Sequence, residues 1–462
     1  MNMISYENVQ KALGVDIAIS RKMEQAILLW SRMYTNSAPW LNKDIKSLGL
    51  PSAISTEVTR LVTMEMDINI TGSARANFLA EQFDRILPNL STYIEYACAK
   101  GGIVFKPYID SGGIAIDFVQ AGNFYPVRFN SANRVTAAIF PEFKQEGKKL
   151  YTRLEYHSLE GDRYRVINKA FVSSRAAVTM GNILQLGAEI SLDTVEEWRQ
   201  LEPVVEFNHA DSMLFSYFKV PMANNVDVDS PLGVSVYSRA TGQIRDVDEQ
   251  YGATLWEFKA KETAIQATKD FFDADRFGNV RMPAGKERFY FAMNSDIEDD
   301  KGRPFFNVYS PEIRDESFFN GFNKMLQRVE FNSGLAYGTL SDPQTVEKTA
   351  EEIKASKQRS YSMVKSIQNA LFMSIKEVVK IIDVWADIAG LAPVGGYEVT
   401  GSFDDSLVVD AKTEKEQDRT DVASGIMLPW EYRVKWYGET EAIARQMLSS
   451  SVANAIKTEV IQ

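Results

Sequence analysis

The residues with the clearest potential for chemistry are four carboxylates in one short stretch of the sequence. The segment 295–304 reads SDIEDDKGRP and contains Asp296, Glu298, Asp299 and Asp300. Convergent carboxylate oxygens bind divalent metals, and metal-dependent nucleases use such metals to activate water. The cluster therefore suggests a metal-dependent phosphodiesterase as one hypothesis. Consecutive acids on a loop that ends in Lys301-Gly302 are nevertheless more typical of a solvated turn, and we favour that interpretation.

Other catalytic groups are scarce. The chain contains one cysteine, Cys98, and two separated histidines, His157 and His209. Structural zinc sites and Cys–His catalysis need more of these residues, so we expect neither, and we expect Cys98 to be a small buried residue. The phosphate-binding GxxxxGK[ST], the dinucleotide-binding GxGxxG and the nucleophile motif GxSxG are all missing from the sequence. The sequence predicts a protein that is not an enzyme, has no cofactor and leaves ATP hydrolysis to another chain.

Composition and charge narrow the possible partners. Of the 462 residues 45% are hydrophobic, which predicts a large folded body of about two to four domains. The formal net charge is −11, whereas tight binding to nucleic acid depends mainly on cations that neutralise phosphates. Sequence-specific DNA binding is therefore not expected, although an acidic surface suits a channel through which DNA slides. Neither a signal-peptide pattern nor an apolar run of about 18 residues is visible, so we expect a soluble protein without a membrane partner.

Three segments of the first half should position whatever site exists. Apolar residues at helical spacing predict helices at 16–34, 51–67 and 74–100. Alternating apolar and polar residues follow up to residue 172, interrupted by the turn sequences DSGG, NSAN, QEGKK and LEGD. This pattern predicts an antiparallel meander of about five to seven strands. The fold class is accordingly α+β.

The second half has a different arrangement. Helices are predicted at 234–262 and 313–336, and an irregular, strand-like module at 263–311 separates them. The loop YGTLSDPQ (337–344) then leads into a helix that would run from Thr345 to residue 390, a length of about 65 Å. Beyond it we expect a strand or hairpin and two or three short helices, one of which starts at Pro429.

The long helix changes character along its length. Its later two thirds carry an apolar stripe made of Tyr361, Val364, Ile367, Leu371, Ile375, Val378, Ile382, Trp385 and Ala389. Its first third has few apolar residues: Val346, Ala350, Ile353 and Ala355. That part could be a solvated overhang, and a coiled-coil arm is disfavoured because no heptad pattern persists. We favour packing against copies of the same chain in a ring.

Four stretches of the chain resemble portal proteins of tailed double-stranded-DNA bacteriophages, most closely those of long-tailed phages of Gram-positive hosts. They are WSRMYTNSAPW with LPSAISTEVTRLV, DSPLGVSVYSRATGQIRDVDEQYGATLWEFKAKE, SFFNGFNKMLQRVEFNSGLAYGTLSD and QTVEKTAEEIKASKQRSYSMVKSIQNAL. Each motif is loose by itself, and the likeness rests on their order and spacing. The last stretch departs from the family's Thr-Ala-Thr-Glu, because residues 349–352 read Thr-Ala-Glu-Glu.

The resemblance implies a portal fold assembled as a ring of usually twelve copies around an axial DNA channel. Carried over by position, its parts are a wing at 1–233, a first stem helix at 234–262, a clip at 263–311, a second stem helix at 312–336, a tunnel loop at 337–344, a long wing or spine helix at 345–390 and a crown at 391–462.

The resemblance also implies a function. The ring would occupy one vertex of the capsid in the virion, after assembly in the bacterial cytoplasm, and double-stranded DNA would enter and leave through it. Its partners would be the large terminase, then the head–tail adaptor, and the capsid or scaffolding protein. Two alternatives stay open, namely a nuclease that uses the cluster Asp296–Asp300 and a scaffold or adaptor without a channel.

The candidate DNA-contacting residues lie in and before the tunnel loop. The loop residues are Tyr337, Gly338, Thr339, Leu340, Ser341 and Asp342, and they include no Lys or Arg. Such a loop could touch moving DNA without holding it, because each neutralised phosphate adds affinity that slows sliding. An ordinary turn between helices explains the same residues. Lys324 and Arg328 are candidates to face the channel, unless they pair with acids of a neighbouring subunit.

Overall fold

A computed structural model describes residues 3–64, 66–110, 113–174, 183–208, 210–260, 264–268, 276, 290–293, 306–309, 315–342, 350–403, 411–438, 440–441 and 443–448. The helices within these ranges are α1 (Tyr6–Leu13), α2 (Arg21–Tyr34), α3 (Leu50–Thr63), α4 (Ala74–Asp84), α5 (Leu87–Lys100), α6 (Thr241–Ala260), α7 (Asp315–Ser333), α8 (Ala350–Ile388), α9 (Ala411–Ala423) and α10 (Pro429–Tyr437). The strands are β1 (Met3–Ile4), β2 (Met66–Gly72), β3 (Gly102–Asp110), β4 (Gly113–Gln120), β5 (Tyr125–Phe129), β6 (Val135–Glu146), β7 (Lys149–Glu160), β8 (Arg163–Ser174), β9 (Ile183–Leu184), β10 (Ala188–Ile190), β11 (Val204–Phe207), β12 (Ser216–Lys219), β13 (Ala264–Thr268), β14 (Tyr290–Met293), β15 (Phe306–Tyr309) and β16 (Tyr397–Phe403). Helices and mainly antiparallel sheets make this an α+β protein.

The N-terminal helices follow local signals. Ser5 and Ser20 cap α1 and α2 through their side-chain oxygens. Helix α1 was not predicted from the sequence, and it ends at Gly14. The single helix predicted at 74–100 is wrong, because α4 ends at Asp84 and Pro88 lies in the first turn of α5. A proline is favourable there and disruptive within a helix. The helix predicted at 51–67 also ends early, and Met66 begins strand β2 instead.

The predicted antiparallel meander divides between two sheets. Strands β5, β6, β7 and β8 pair in order, and β10 and β11 both pair with β8 to complete a six-stranded sheet. Strands β3 and β4 form a hairpin in a separate three-stranded sheet with β12. The predicted turns NSAN, QEGKK and LEGD join β5 to β8 in succession, with Gly147 and Gly161 in the left-handed region at two of them. Residues 111–112 of the predicted turn DSGG lie outside the described residues.

Helix α8 packs against both helices and strands of this body. Its 39 residues correspond to about 58 Å, and it contacts α3, α4, β3 and β12. Most of the predicted stripe is confirmed as buried, namely Val364, Ile367, Leu371, Ile375, Val378 and Ile382. Trp385 is partly buried, and the prediction was wrong for Ala389, which is exposed one residue beyond the helix end. The predicted start at Thr345, with Val346, lies outside the described residues.

Helices α6 and α7 form an antiparallel pair. The rings of Tyr251 and Phe322 are 6.4 Å apart, and those of Phe258 and Phe319 are 6.3 Å apart. The later residue of α6 thus contacts the earlier residue of α7, as it must in an antiparallel pair. Between the two helices, β13 pairs in parallel with β14 and antiparallel with β15. The pair thus leads out to a small sheet and returns from it.

The α-helix predicted from residue 234 begins only at Thr241, and a short 3-10 helix at Ser238–Ala240 precedes it. Val236 N–H donates to the Cys98 carbonyl at the end of α5. A Cβ atom on Gly233 would lie 2.0 Å from the Gly101 carbonyl oxygen, and one on Gly101 would lie 2.5 Å from the Gly233 oxygen. The glycine in the SPLGVS sequence is therefore required by a backbone-to-backbone contact.

The chain divides into two compact units. The first comprises residues 1–64 and 68–401, and the second comprises 65–67 and 402–462. Within the second unit Asp418 pairs with Lys435 at 2.6 Å and accepts a hydrogen bond from Trp436 Nε1 at 2.8 Å, which joins α9 to α10. Pro429 begins α10 as predicted. Of the helices in the described ranges, none is both long enough and apolar enough to cross a membrane.

Candidate nucleic-acid interface

The predicted tunnel loop begins where α7 ends. Gly334, at φ +73°, reverses the chain direction just after Ser333, and Leu335 N–H donates to the Glu330 carbonyl at 2.9 Å. Such a left-handed glycine is a common helix end, because it satisfies carbonyls that the last turn leaves without partners. Residues 337–342 then fold back beside the last turns of α7.

A buried carboxylate on α7 organises this loop. Glu330 is fully buried, and its Oε1 accepts hydrogen bonds from Gly338 N at 3.1 Å, Leu340 N at 2.6 Å and Ser341 N at 2.8 Å. The Ser341 hydroxyl lies 2.9 Å from its Oε2. Three backbone donors and one hydroxyl thus converge on one acidic side chain. A charged acceptor makes each of these bonds stronger than a neutral one.

The predicted loop residues divide into anchoring and exposed ones. Ser341 is buried, and Leu340 and Gly338 are partly buried, so these three face Glu330. Thr339 is exposed, and its hydroxyl donates to the Ala336 carbonyl at 2.6 Å. Asp342 is also exposed, and its backbone N–H donates to Asn323 Oδ1 at 2.7 Å. The surface that the loop offers is therefore short, polar and free of Lys and Arg.

An arginine from α8 lies against the loop and the end of α7. The Arg359 guanidinium is 4.5 Å from the Phe331 ring centroid and 5.4 Å from that of Tyr337. A cation above an aromatic face is attracted by the ring quadrupole. Tyr337 is therefore part of a contact between α7, the loop and α8, while half of the Phe331 surface stays exposed.

Two basic residues extend this surface along α7. Lys324 and Arg328 are four residues apart, so they lie on the same helix face, and both are exposed. Neither makes a hydrogen bond or ion pair with a residue that the structure describes. The pair can donate to phosphate oxygens, whereas the adjoining loop offers hydroxyl and backbone groups.

Sequence reasoning missed the two residues that fix this geometry, Glu330 and Arg359. A signal for Glu330 was present, because an acid directly follows the buried Leu326 and Val329 on α7 and precedes a glycine-containing loop. Buried acids need several donors, and a short loop with free N–H groups supplies them. No comparable signal marks Arg359, which lies among other charged residues at 350–359.

The remaining predicted groups do not form a second site in the described residues. The acidic residues Asp296, Glu298, Asp299 and Asp300 lie outside those ranges, and so does His209. Within the ranges given above, no group of three or more acidic, His or Cys side chains is placed to hold a metal. Cys98 is buried as predicted, and burial raises the pKa of its thiol to about 12.

No protein-family model matches the chain, and no curated protein matches its sequence.

Proposed function

We propose that this chain is a portal protein, a subunit of a ring through which double-stranded DNA enters and leaves a phage capsid. The α6–α7 pair carries the proposal, because it leads to a small sheet and back and then enters a loop anchored on Glu330. In this assignment α6 and α7 are the stem, the sheet of β13, β14 and β15 belongs to the clip, and residues 337–342 are the tunnel loop.

The side chains on this hairpin fit an assembled ring. Trp256 on α6 and Phe319 on α7 expose 67% and 54% of their surface. Large apolar side chains exposed on neighbouring helices are typical of surfaces that another protein covers. Copies of the same chain, related by rotation about the channel, would cover them. Twelve copies is the number that the family resemblance favours.

The loop and the free face of α7 fit a channel that conducts DNA. The loop presents polar groups without Lys or Arg, so it adds little phosphate-dependent affinity. Lys324 and Arg328 supply a limited positive charge beside it. A weak, sequence-independent contact of this kind permits sliding. Terminase, the head–tail adaptor and the capsid or scaffolding protein would dock elsewhere on the ring.

Electron microscopy of the purified full chain tests the assembly. We expect rings whose axial opening is wide enough for duplex DNA, and a monomer or a closed compact oligomer would contradict the proposal. Incubation of the same sample with plasmid DNA and magnesium tests the nuclease alternative, for which cleavage would be the supporting result.

DNA binding by the ring tests the role of α7. The double variant Lys324→Gln, Arg328→Gln should weaken DNA binding by the same factor for DNA molecules of unrelated sequence. The slope of a plot of log K for DNA binding against log salt concentration should also become less negative, by about 0.9 for each phosphate that the variant no longer neutralises. The matched control is Asn320→Ala, on the same exposed side of α7. An unchanged salt dependence in rings of normal size would remove these two residues from the DNA-contacting surface.

A further inference from the structure

A cavity of about 910 Å³ in the first unit is lined mainly by the six-stranded sheet and by the β3–β4 hairpin, and by no described residue of α6 or α7. One wall is the face of the six-stranded sheet, to which Arg153, Glu155 and His157 contribute from alternate positions of β7. The opposite wall comes from β3 and β4 and includes Lys106 and Asp117. Small-molecule sites in proteins have about this size, roughly 300–1,000 Å³.

Four ionic groups in the cavity compensate one another. Glu155 accepts from Lys106 Nζ at 2.8 Å and from Arg153 at 3.1 Å. Arg153 Nε also donates to Glu142 at 2.9 Å, and Trp198 Nε1 donates to the other oxygen of Glu142 at 3.1 Å. Two cations and two carboxylates thus form a network without net charge.

His157 adds no charge to this network. Leu214 N–H donates to the Tyr164 hydroxyl oxygen at 3.3 Å, and that hydroxyl lies 2.6 Å from His157 Nδ1. The Glu155 carboxylate can only accept, so Nε2–H donates to it at 2.6 Å, and in the neutral imidazole Nδ1 then accepts from the Tyr164 hydroxyl. Burial lowers the pKa of His157, in spite of the opposing effect of Glu155, so the neutral imidazole is the form present at pH 7.

The charge of a third carboxylate, Asp117, is not balanced by the two cations of the cavity. Its oxygen is 3.9 Å from Lys106 Nζ, while Lys106 makes its close contact with Glu155. The Asp117 side chain is 52% exposed, so it stands at the entrance of the cavity and not in its floor. Together with the compensated network, it gives the cavity a net negative charge.

Two residues that line the cavity each have a buried polar atom with an unsatisfied hydrogen-bonding group. Asn123 Oδ1 and Trp385 Nε1 are buried atoms without a hydrogen-bond partner in the described part of the chain. A buried polar group without a partner is costly, and such groups in native proteins call for an explanation. The remaining lining is largely apolar or aromatic and includes Tyr108, Phe140 and Phe207.

We propose that this cavity binds an organic cation, an ammonium or guanidinium group carried on an apolar stem. The cationic group pairs with Asp117 at the entrance, and the stem lies among the aromatic side chains, whose faces also attract cations. An anion is disfavoured, because both cations of the cavity already have carboxylate partners.

This chemistry has two sources, a free amine and a Lys or Arg side chain of another polypeptide. The proposal does not depend on the proposed function, because the cavity contains no residue of α6, α7 or the tunnel loop. A failure of cavity binding would therefore leave the ring test unaffected, and the reverse also holds.

Calorimetric titration of the 462-residue chain with phenethylamine tests the proposal. We expect saturable binding that is at least about tenfold tighter than binding of the matched neutral 2-phenylethanol, since one ion pair at a partly buried site corresponds to roughly that factor. The anion 3-phenylpropionate should not bind. The variant Asp117→Asn should lose about tenfold in phenethylamine affinity, whereas Asp110→Asn, an exposed acid of β3 outside the cavity lining, should bind like the wild type.

A second titration separates the two sources. The probes are the blocked peptide acetyl-Ala-Phe-Lys-Ala-amide and the same peptide with norleucine in place of lysine. Tighter binding of the lysine peptide than of phenethylamine supports a polypeptide partner, and binding of phenethylamine alone supports a free amine. The proposal is overturned if the alcohol binds as well as the amine, if Asp117→Asn leaves amine affinity unchanged in a protein of normal Tm, or if no cationic probe saturates.

Discussion

Replacement of Glu330 should release the loop at 337–342 while the rest of the protein stays folded. In Glu330→Ala three donors lose their acceptor, namely the N–H groups of Leu340 and Ser341 and the Ser341 hydroxyl, whereas Gly338 N–H still lies 3.2 Å from Ser341 Oγ. Water can reach the partly buried Leu340, whereas both Ser341 donors belong to a buried residue. At about 1–3 kcal/mol for each buried donor without a partner, the loop loses roughly 2–6 kcal/mol.

Hydrogen exchange of the loop amides measures this loss directly, because it reports the free energy of local opening. A loss of about 2 kcal/mol lowers amide protection about 30-fold. Glu330→Gln should lose less, about 1–2 kcal/mol, because its amide oxygen still accepts from the three N–H groups but without charge. Asn320→Ala, an exposed change on the same helix, is the control and should leave protection within about twofold.

The relative loss of amide protection in the Ala and Gln variants tests whether Glu330 holds the loop. If Glu330→Ala left the amides of 338–341 protected to within about threefold of wild type, Glu330 would not hold the loop. Equal losses in the Ala and Gln variants would locate the effect in the charge and not in the hydrogen-bond geometry.

Three further predictions concern the body of the protein. Gly233→Ala should lower the Tm strongly, because its Cβ would meet the Gly101 carbonyl, whereas Gly242→Ala in α6 meets nothing within 4 Å and should stabilise by about 0.5–1 kcal/mol in the same melting experiment. In urea unfolding, Leu371→Ala should lower the free energy of unfolding by about 2–5 kcal/mol, and the change of the exposed Met373 to Ala should lower it by less than about 0.5 kcal/mol. Equal losses would contradict the packing of α8. Burial favours a raised pKa for Glu155, but Lys106, His157 and Arg153 outweigh it and hold that pKa well below its usual range. The ionised Glu155 therefore stabilises the folded protein above about pH 4.3, and this stabilisation is lost as the pH falls through the lower pKa of the folded state. Glu155→Gln should lower the free energy of unfolding by about 3–5 kcal/mol at pH 7, and by less at about pH 3.5, as measured by urea unfolding at the two pH values.

Periodic patterns predicted the fold best where burial is continuous. The stripe of α8 and the alternation of β6, β7 and β8 follow from one face that packs on the body, and both were visible in the sequence. Errors occurred at local interruptions. Pro88 divides the predicted helix 74–100, and the contact of Gly233 with Gly101 delays the start of α6 until Thr241.

The candidate site was only partly predictable, since its geometry depends on residues that the chain brings together. The loop 337–342 was visible as a polar interruption, yet its shape is set by Glu330 on the preceding helix. The inter-sheet cavity was not predicted, because Lys106, Glu155 and Trp385 come from three separate parts of the chain. No pattern within one segment encodes such a juxtaposition.

Helix α8 also has a mechanical consequence. Near one end Arg359 lies on the rings of Phe331 and Tyr337, and near the other end Asp383 accepts from the buried Arg75 of α4 at 2.6 Å. The roughly 24 residues between these contacts span about 36 Å of continuous α-helix. A helix buried along one side resists both bending and compression. One continuous helix therefore joins the loop contact to the Arg75 ion pair, so the distance between these two contacts is set by the helical rise of α8 and not by the length of any loop.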